Sequence, residues 1–242
     1  MTNILLCSDL HTNFYPNGGK TVIESLCNTN VDVLVVAGDL SIIKGNLLQT
    51  NIKQLCNKFP EVVYVAGNHS YYYNTFSYVD DILANLDSKI KNFTWLNNTR
   101  VNIAGQSFIG ATLWFSNNTS VQKYKHLLND YNCILNFEPE IYNRNQETIE
   151  FFRDNIQEGD ILVTHHMPSS KCIAPIYKDS VANCFFFSDL DGIICSTKPA
   201  LGLYGHTHFN NDFVLHSTRL LCNPRGYPGQ NPMFSESLII TV

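Results

Sequence analysis

Five short stretches of this chain carry side chains of the kinds that bind metal ions: Asp9-x-His11, Asp39, Asn68-His69, His165-His166 and His206-x-His208. Carboxylates, one amide oxygen and imidazoles make a mixed oxygen and nitrogen set suited to Mn²⁺, Fe or Zn²⁺. Seven such ligands with one shared carboxylate would fill two metal sites and leave positions open for water and substrate. Each stretch also has an ordinary alternative. Asp9 reads as a helix N-cap before a surface histidine, Gly38-Asp39 as a turn, Asn68-His69 as a left-handed turn, and His165 or His166 as a satisfied core histidine.

The elements that precede these stretches favour the metal reading. "ILLC" (4–7), "VDVLVVAGD" (31–39), "EVVYVAGNH" (61–69), "DILVTHH" (160–166) and "LGLYGHTH" (201–208) are apolar runs of the sort buried on both faces of a parallel sheet. Each ends in the polar residues in question. Parallel strands bring their carboxyl ends to one edge, where α/β proteins place their ligands, so the five stretches can share one cleft.

Between the strands, helical spacing marks Thr21–Asn28, Asn46–Phe59 and Phe76–Ile90, the alternation expected of βαβ units. Residues 100–115 read as two strands turning at Gly105-Gln106. An Asn-rich insert, 116–158, reads as largely helical, with Leu127, Leu128 and Leu135 in one piece and Ile149, Phe152 and Ile156 in another. A short helix near Asp189–Cys195 follows, and the tail reads as strands. No repeat or linker divides residues 1–242, so a single α/β domain is expected.

Composition narrows the function. Hydrophobic residues are 44% and charged residues 15%, with a net charge of −5 and no run of Lys or Arg. A nucleic-acid polymer is therefore a poor partner, although a small nucleotide is not excluded. The eight cysteines show no metal-finger or redox spacing and are read as reduced. The first strand starts too close to Met1 for a cleavable signal peptide, and no run is apolar for the ~20 residues of a membrane span, so a cytoplasmic chain is expected.

In their order along the chain, Asp9-x-His11, Gly38-Asp39, Gly67-Asn68-His69, His165 and Gly205-His206-Thr207-His208 resemble the motifs of the calcineurin-like metallophosphoesterase superfamily. "GATLW" (110–114), "THHMP" (164–168), "SDL" (188–190) and "NPRGY" (223–227) are similar to a branch of small members. The resemblance implies a four-layer αββα sandwich of two mixed sheets. It also implies a hydrolase of phosphomono- or phosphodiesters with two divalent metal ions. Asp9, His11 and His208 would hold one metal, Asn68, His165 and His206 the other, and Asp39 would bridge them. His69 would act beside the scissile phosphate as general acid or charge stabiliser, and His166 would either support the ligands from an outer layer or be structural. Where the family often has an acidic residue after Gly-Asn-His, this chain has Ser70, which weakens the expected support of His69.

Arg225, in "NPRGYPG", is the one arginine near these motifs that offers a bidentate fork to phosphate. A turn arginine or structural ion pair is the alternative. Tyr71, Tyr72 and Tyr73 read as packing in preference to a cleft wall, and Trp114 and Phe115 as core or pocket lining. The substrate expected is a small phosphorylated molecule such as a nucleotide. A phosphoprotein phosphatase is the alternative enzyme, but "GDLSIIKG" places Ile42 and Ile43 where that branch has Asp and Arg. A metal-free protein-binding scaffold is the alternative of another class, and the seven intact ligand positions argue against it.

Overall fold

The computed structural model describes residues 1–242. The first half of the chain builds one sheet. Its strands are β1 (Asn3–Cys7), β2 (Val33–Ala37), β3 (Glu61–Val65) and β4 (Phe93–Trp95), and its crossover helices are α1 (Lys20–Ser25), α2 (Leu47–Lys58) and α3 (Phe76–Lys89). The second sheet begins with the hairpin β5 (Thr99–Ile103) and β6 (Gln106–Ala111). Helices α4 (Thr119–Tyr124), α5 (Asp130–Cys133) and α6 (Phe137–Asn155) follow. Then come β7 (Ile161–Thr164), α7 (Asp191–Thr197), β8 (Leu201–Tyr204), β9 (Asn211–Leu215) and β10 (Thr218–Cys222). The last strand, β11 (Ile239–Thr241), returns to the first sheet beside β1.

Both sheets are mixed. β1 to β4 are parallel with β11 as an antiparallel edge, and β6, β7, β8 and β10 are parallel with β5 and β9 as antiparallel edges. Alternation along each strand sorts its side chains into layers. Leu5, Cys7, Leu34, Val36, Val62 and Tyr64 face α1, α2 and α3, whose Ile23, Ile52 and Leu83 pack on them. Ile4, Leu6, Val33, Val35 and Val63 face the other way and meet Phe108, Ile161, Val163 and Leu203 of the second sheet. The outer face of that sheet, with Ile109, Leu162 and Leu220, is covered by Phe152 of α6 and Ile194 of α7. Helices, sheet, sheet and helices thus make the four-layer αββα sandwich. Each fully buried Val, Leu or Ile contributes about 1.5–3 kcal/mol, which is why strands apolar on both faces sit in the middle layers.

Element boundaries differ from the sequence reading in three informative places. The hairpin turns at Ala104 and Gly105, both with positive φ (51° and 80°), and Gln106 already belongs to β6. A two-residue turn of this hand matches the twist of the paired strands. β4 escapes the periodicity because three residues carry too little of it. The insert is broken into α4, α5 and α6, so Leu127 and Leu135 do not share a buried helical stripe with Leu128. They are half exposed (50% and 54%). No helix is long and apolar enough to cross a membrane, and all eight cysteines are free thiols.

Candidate metal centre

The carboxyl ends of the parallel strands of both sheets converge on one side of the sandwich. Asp9 and His11 follow β1, Asp39 follows β2, Asn68 and His69 follow β3, His165 follows β7, and His206 and His208 follow β8. Three sets of ligand atoms, Asp9/His11/His208, His11/Asp39/His69 and Asp39/His165/His206, each lie within 4.8 Å of one another, and almost all of these side chains are buried. Asp9, His11, Asp39, His206 and His208 all adopt left-handed backbone, with φ between 44° and 68°. Such residues cost about 1 kcal/mol or more each, and they turn the side chain sharply off the strand end.

Glycines make room for this crowding. A β-carbon on Gly38 would overlap the His165 ring, one on Gly67 the Asp39 carboxylate, and one on Gly205 the Ala37 carbonyl and Asp9 carboxylate. Gly38 also has φ +89°, which a side chain would resist. The glycine that leads each of the later motifs is therefore a packing requirement of the neighbouring ligand.

Hydrogen bonds set the direction of each lone pair. The backbone N–H of His206 donates to both oxygens of Asp9 (3.1 and 3.0 Å), and that of His69 donates to Asp39 Oδ1 (3.0 Å). Asp39 Oδ2 is left facing His165 Nε2 (3.5 Å), His11 Nε2 (3.8 Å) and His69 Nε2 (4.0 Å). His165 Nδ1 lies 3.0 Å from the Ala37 carbonyl and donates to it. His208 Nδ1 is held by Gln230 Oε1 (2.7 Å), which turns its Nε2 to Asp9 Oδ1 (3.3 Å) and His11 Nε2 (3.0 Å). A second-layer acceptor on the far nitrogen is the usual way a histidine ligand is oriented.

Electrostatics mark the centre as short of positive charge. Burial pulls the His165 imidazole down, but Asp39, Asp9 and the Ala37 carbonyl outweigh it and raise it to about 9. Burial raises Asp39, yet His165, His69 and His11 hold it well below the usual carboxylate range. His11 and His206 are pushed down by burial, His11 to about 3. A neutral His165 would bring two acceptors together without a proton, because Asn68 Oδ1 lies 3.1 Å from its Nε2 while Asn68 Nδ2 donates to Asp130. A cation between them removes that conflict. Nor does His206 Nε2 or His11 Nδ1 have a hydrogen-bond partner. The donor set thus fits divalent metal ions.

The remaining expected residues divide. His69 stands at the edge of the centre, its ring stacked on Tyr72 (centroids 4.3 Å, 23° between planes) and its Nε2 3.4 Å from the Tyr227 hydroxyl. His166 is a buried neutral imidazole beside His206 and Trp114, pushed down by burial to about 3. Trp114 and Phe115 are core. The three tyrosines do not share one role: Tyr71 is core, Tyr72 lines the cleft and Tyr73 is exposed. A run of consecutive residues through a 3₁₀ turn (Asn68–Tyr71) points its side chains in different directions. Arg225 is not among the residues lining the cleft. Its guanidinium lies between the Tyr15 and Phe234 rings (5.3 and 5.2 Å) and reaches the Tyr15 hydroxyl and Glu236.

Asp130, in the insert, is a residue the spacing of motifs does not reveal. It is fully buried, and its Oδ1 accepts from Asn68 Nδ2 (2.9 Å) and from the Tyr72 hydroxyl (2.8 Å). One carboxylate therefore fixes which way the Asn68 amide faces and anchors the ring on which His69 stacks. Ser70, by contrast, bonds the buried Tyr64 hydroxyl (2.8 Å). An acidic residue in an Asn-rich helical segment carries no local signal of this use. Asp130→Asn should weaken metal retention about 10–100-fold, the range for lost outer-layer partners, with one of two metals affected more. Metal titration of the stripped protein, followed by calorimetry, checks this; two unchanged affinities would refute it.

Comparison with known proteins agrees with this geometry. Residues 2–210 match the family model described as calcineurin-like phosphoesterase. An uncharacterised protein of Acanthamoeba polyphaga mimivirus is 28% identical over 97% of this chain and 95% of its own. The crystal structure of a phosphopantetheinyl hydrolase from Mycobacterium tuberculosis superposes with a TM-score of 0.76 at 18% identity, covering 95% of this chain and 91% of that one. With the family's Asp and His clusters intact and buried at the ends of its strands, the chain belongs to the calcineurin-like phosphoesterases and is a metal-dependent phosphoesterase.

Proposed function

We propose that this chain, acting as one domain over residues 1–242, hydrolyses phosphomono- or phosphodiesters of a small molecule with two divalent ions (Mn, Fe or Zn). Asp9, His11 and His208 would hold one ion, Asn68, His165 and His206 the other, and Asp39 would lie between. The observation that carries the reading is the convergence of the His165, His11 and His69 Nε2 atoms on Asp39 Oδ2 at the buried strand ends. Two such ions supply a nucleophile at neutral pH and offset the charge that develops on the phosphoryl oxygens. A metal-free scaffold gives no account of that convergence. The phosphoprotein phosphatase alternative lacks the Asp and Arg that Ile42 and Ile43 replace. The structural neighbour is by its name a hydrolase of phosphopantetheinyl groups, which accords with a phosphoester substrate.

His69 is the residue of this chain placed to handle a proton. Its backbone N–H is tied to Asp39 Oδ1, its ring is stacked on Tyr72, and it lines the cleft with its Nε2 between Asp39 Oδ2 (4.0 Å) and the Tyr227 hydroxyl (3.4 Å). From there it can give a proton to the oxygen that leaves phosphorus, or stabilise the charge on it. His69→Ala should keep both metals and lose about 10²–10⁴-fold in turnover. Metal-stripped protein is titrated with Mn²⁺, Fe²⁺ or Zn²⁺ against a chromogenic monoester and diester, and metal content is measured in parallel. Wild-type turnover by His69→Ala would remove its role, and the absence of any metal-dependent turnover would sink the hydrolase.

For Arg225 the contacts support structure over substrate. Arg225→Ala should lower stability by about 1–2 kcal/mol, the value of two partly exposed cation–π contacts and an ion pair, with KM unchanged. Thermal melting and steady-state kinetics separate the two roles; a raised KM with an unchanged melting temperature would restore the phosphate clamp.

A further inference from the structure

The cleft over the metal centre has a volume of ≈ 380 Å³, within the range of small-molecule sites. Asp39, Asn68, His69, His206 and His208 form one end of it. From that end its walls come from two segments, one around Leu127–Asp130 and the other within 173–186. Leu127, Leu128, Ile173, Tyr177 and Phe186 make the walls apolar, and Asn129 and Asn183 add uncharged amides. Leu127 and Tyr177 remain 50% and 43% exposed at the mouth, so a bound chain would cover apolar surface that the free protein leaves in water.

No lysine or arginine lines this cleft, and its only charged side chains other than histidines are the carboxylates of Asp39 and Asp130. Of the cations near it in sequence, Lys125 pairs with Glu138 (3.1 Å), Lys171 with Asp191 (2.9 Å) and Arg225 with Glu236 (3.4 Å), while Lys178 is exposed beside Tyr177 and does not line the cleft. Proteins bind phosphate groups chiefly with Arg forks and Lys, and neither lines the cleft; the short helix α5 that starts there carries the Asp130 carboxylate in its first turn. A second phosphate placed between these walls would lose water without gaining a counter-charge.

Resting on the hydrolase reading above, we propose that the substrate has a single phosphoryl centre joined to an uncharged organic chain, apolar with amide-type polar groups. Nucleoside di- and triphosphates and other polyphosphates are then poor substrates.

The test uses three phosphodiesters of 4-nitrophenol. Their second ester group is methyl, an N-acylated aminoalkyl chain, or the same chain ending in a phosphate. Nitrophenolate release by the metal-loaded protein gives turnover, and calorimetry with the corresponding methylenephosphonates gives affinity. The neutral chain should bind about 10-fold or more tightly than methyl, as a few buried methylenes allow. The terminal phosphate should abolish that gain. Leu127→Lys, a half-exposed position that tolerates charge, should restore affinity for the phosphate-ended chain. Equal affinity for methyl and neutral chain, or a wild-type preference for the phosphate-ended one, would overturn the proposal. The expected order of binding without turnover of any probe would overturn the hydrolase and leave this ligand class standing. Turnover of the methyl probe with the order reversed would do the opposite.

Discussion

Asp39→Asn is expected to abolish retention of both metals and to lower turnover by about 10³-fold or more, equivalent to several kcal/mol of lost charge stabilisation. The substitution keeps the shape of the side chain. It also leaves Oδ1 able to accept from the His69 backbone, so the fold should persist while the charge disappears. Asp39 Oδ2 is the atom that His11, His69 and His165 all face, at 3.8, 4.0 and 3.5 Å, and Asp39 is the one carboxylate that belongs to two of the three ligand sets. Elemental analysis of the purified variant and its rate on the chromogenic esters check the expectation. Two bound ions with wild-type turnover would show that Asp39 does not bridge.

Gly67→Ala should do nearly the same damage without touching a ligand. Gly67 has an ordinary backbone conformation (φ −97°), so alanine is locally acceptable there. The obstacle is spatial: the added β-carbon would meet the Asp39 carboxylate and the Asp39 backbone nitrogen at overlap distance, and the backbone atom cannot yield as a flexible side chain would. A shift of even ~1 Å in a catalytic ligand is worth about 10² in rate, and overpacking of this kind costs about 1–3 kcal/mol in stability. The variant should therefore melt lower, bind fewer than two metals per chain and turn over about 10²-fold more slowly. Gly45→Ala is the control. Its φ of +58° strains an alanine, but nothing lies within 4 Å of the added carbon, so it should lose some stability and no metal. Equal metal content in the two variants would show that the close approach of Gly67 to Asp39 has no consequence for the centre.

Strands β1, β2, β3, β7 and β8 were legible because a strand buried on both faces must be apolar throughout, and each run ended abruptly in ligand-type residues. Within each sheet parallel neighbours point their carboxyl ends the same way, and the face-to-face packing of the two sheets brings both groups of ends together. β4 and the broken helices of the insert were not legible. Three residues carry no period, and the leucines at 127 and 135 face a cleft mouth and solvent, so their spacing records no core.

What the sequence determined by itself is the order of the candidate ligand residues and the buried strands that precede them, while the four layers were implied by the family resemblance. The first two are recorded locally, in short motifs and in runs that are apolar throughout. Tertiary structure alone decided the rest, because each further role joins residues far apart in the chain. Asp130 reaches Asn68 and Tyr72 across about sixty positions, Gln230 turns the His208 ring, and Tyr15 with Glu236 takes the Arg225 guanidinium from the cleft. A carboxylate in a helix and an arginine in a turn look alike in sequence whether they face solvent, a ligand or one another. Only folding, by removing water from one side of each group, assigns it a partner.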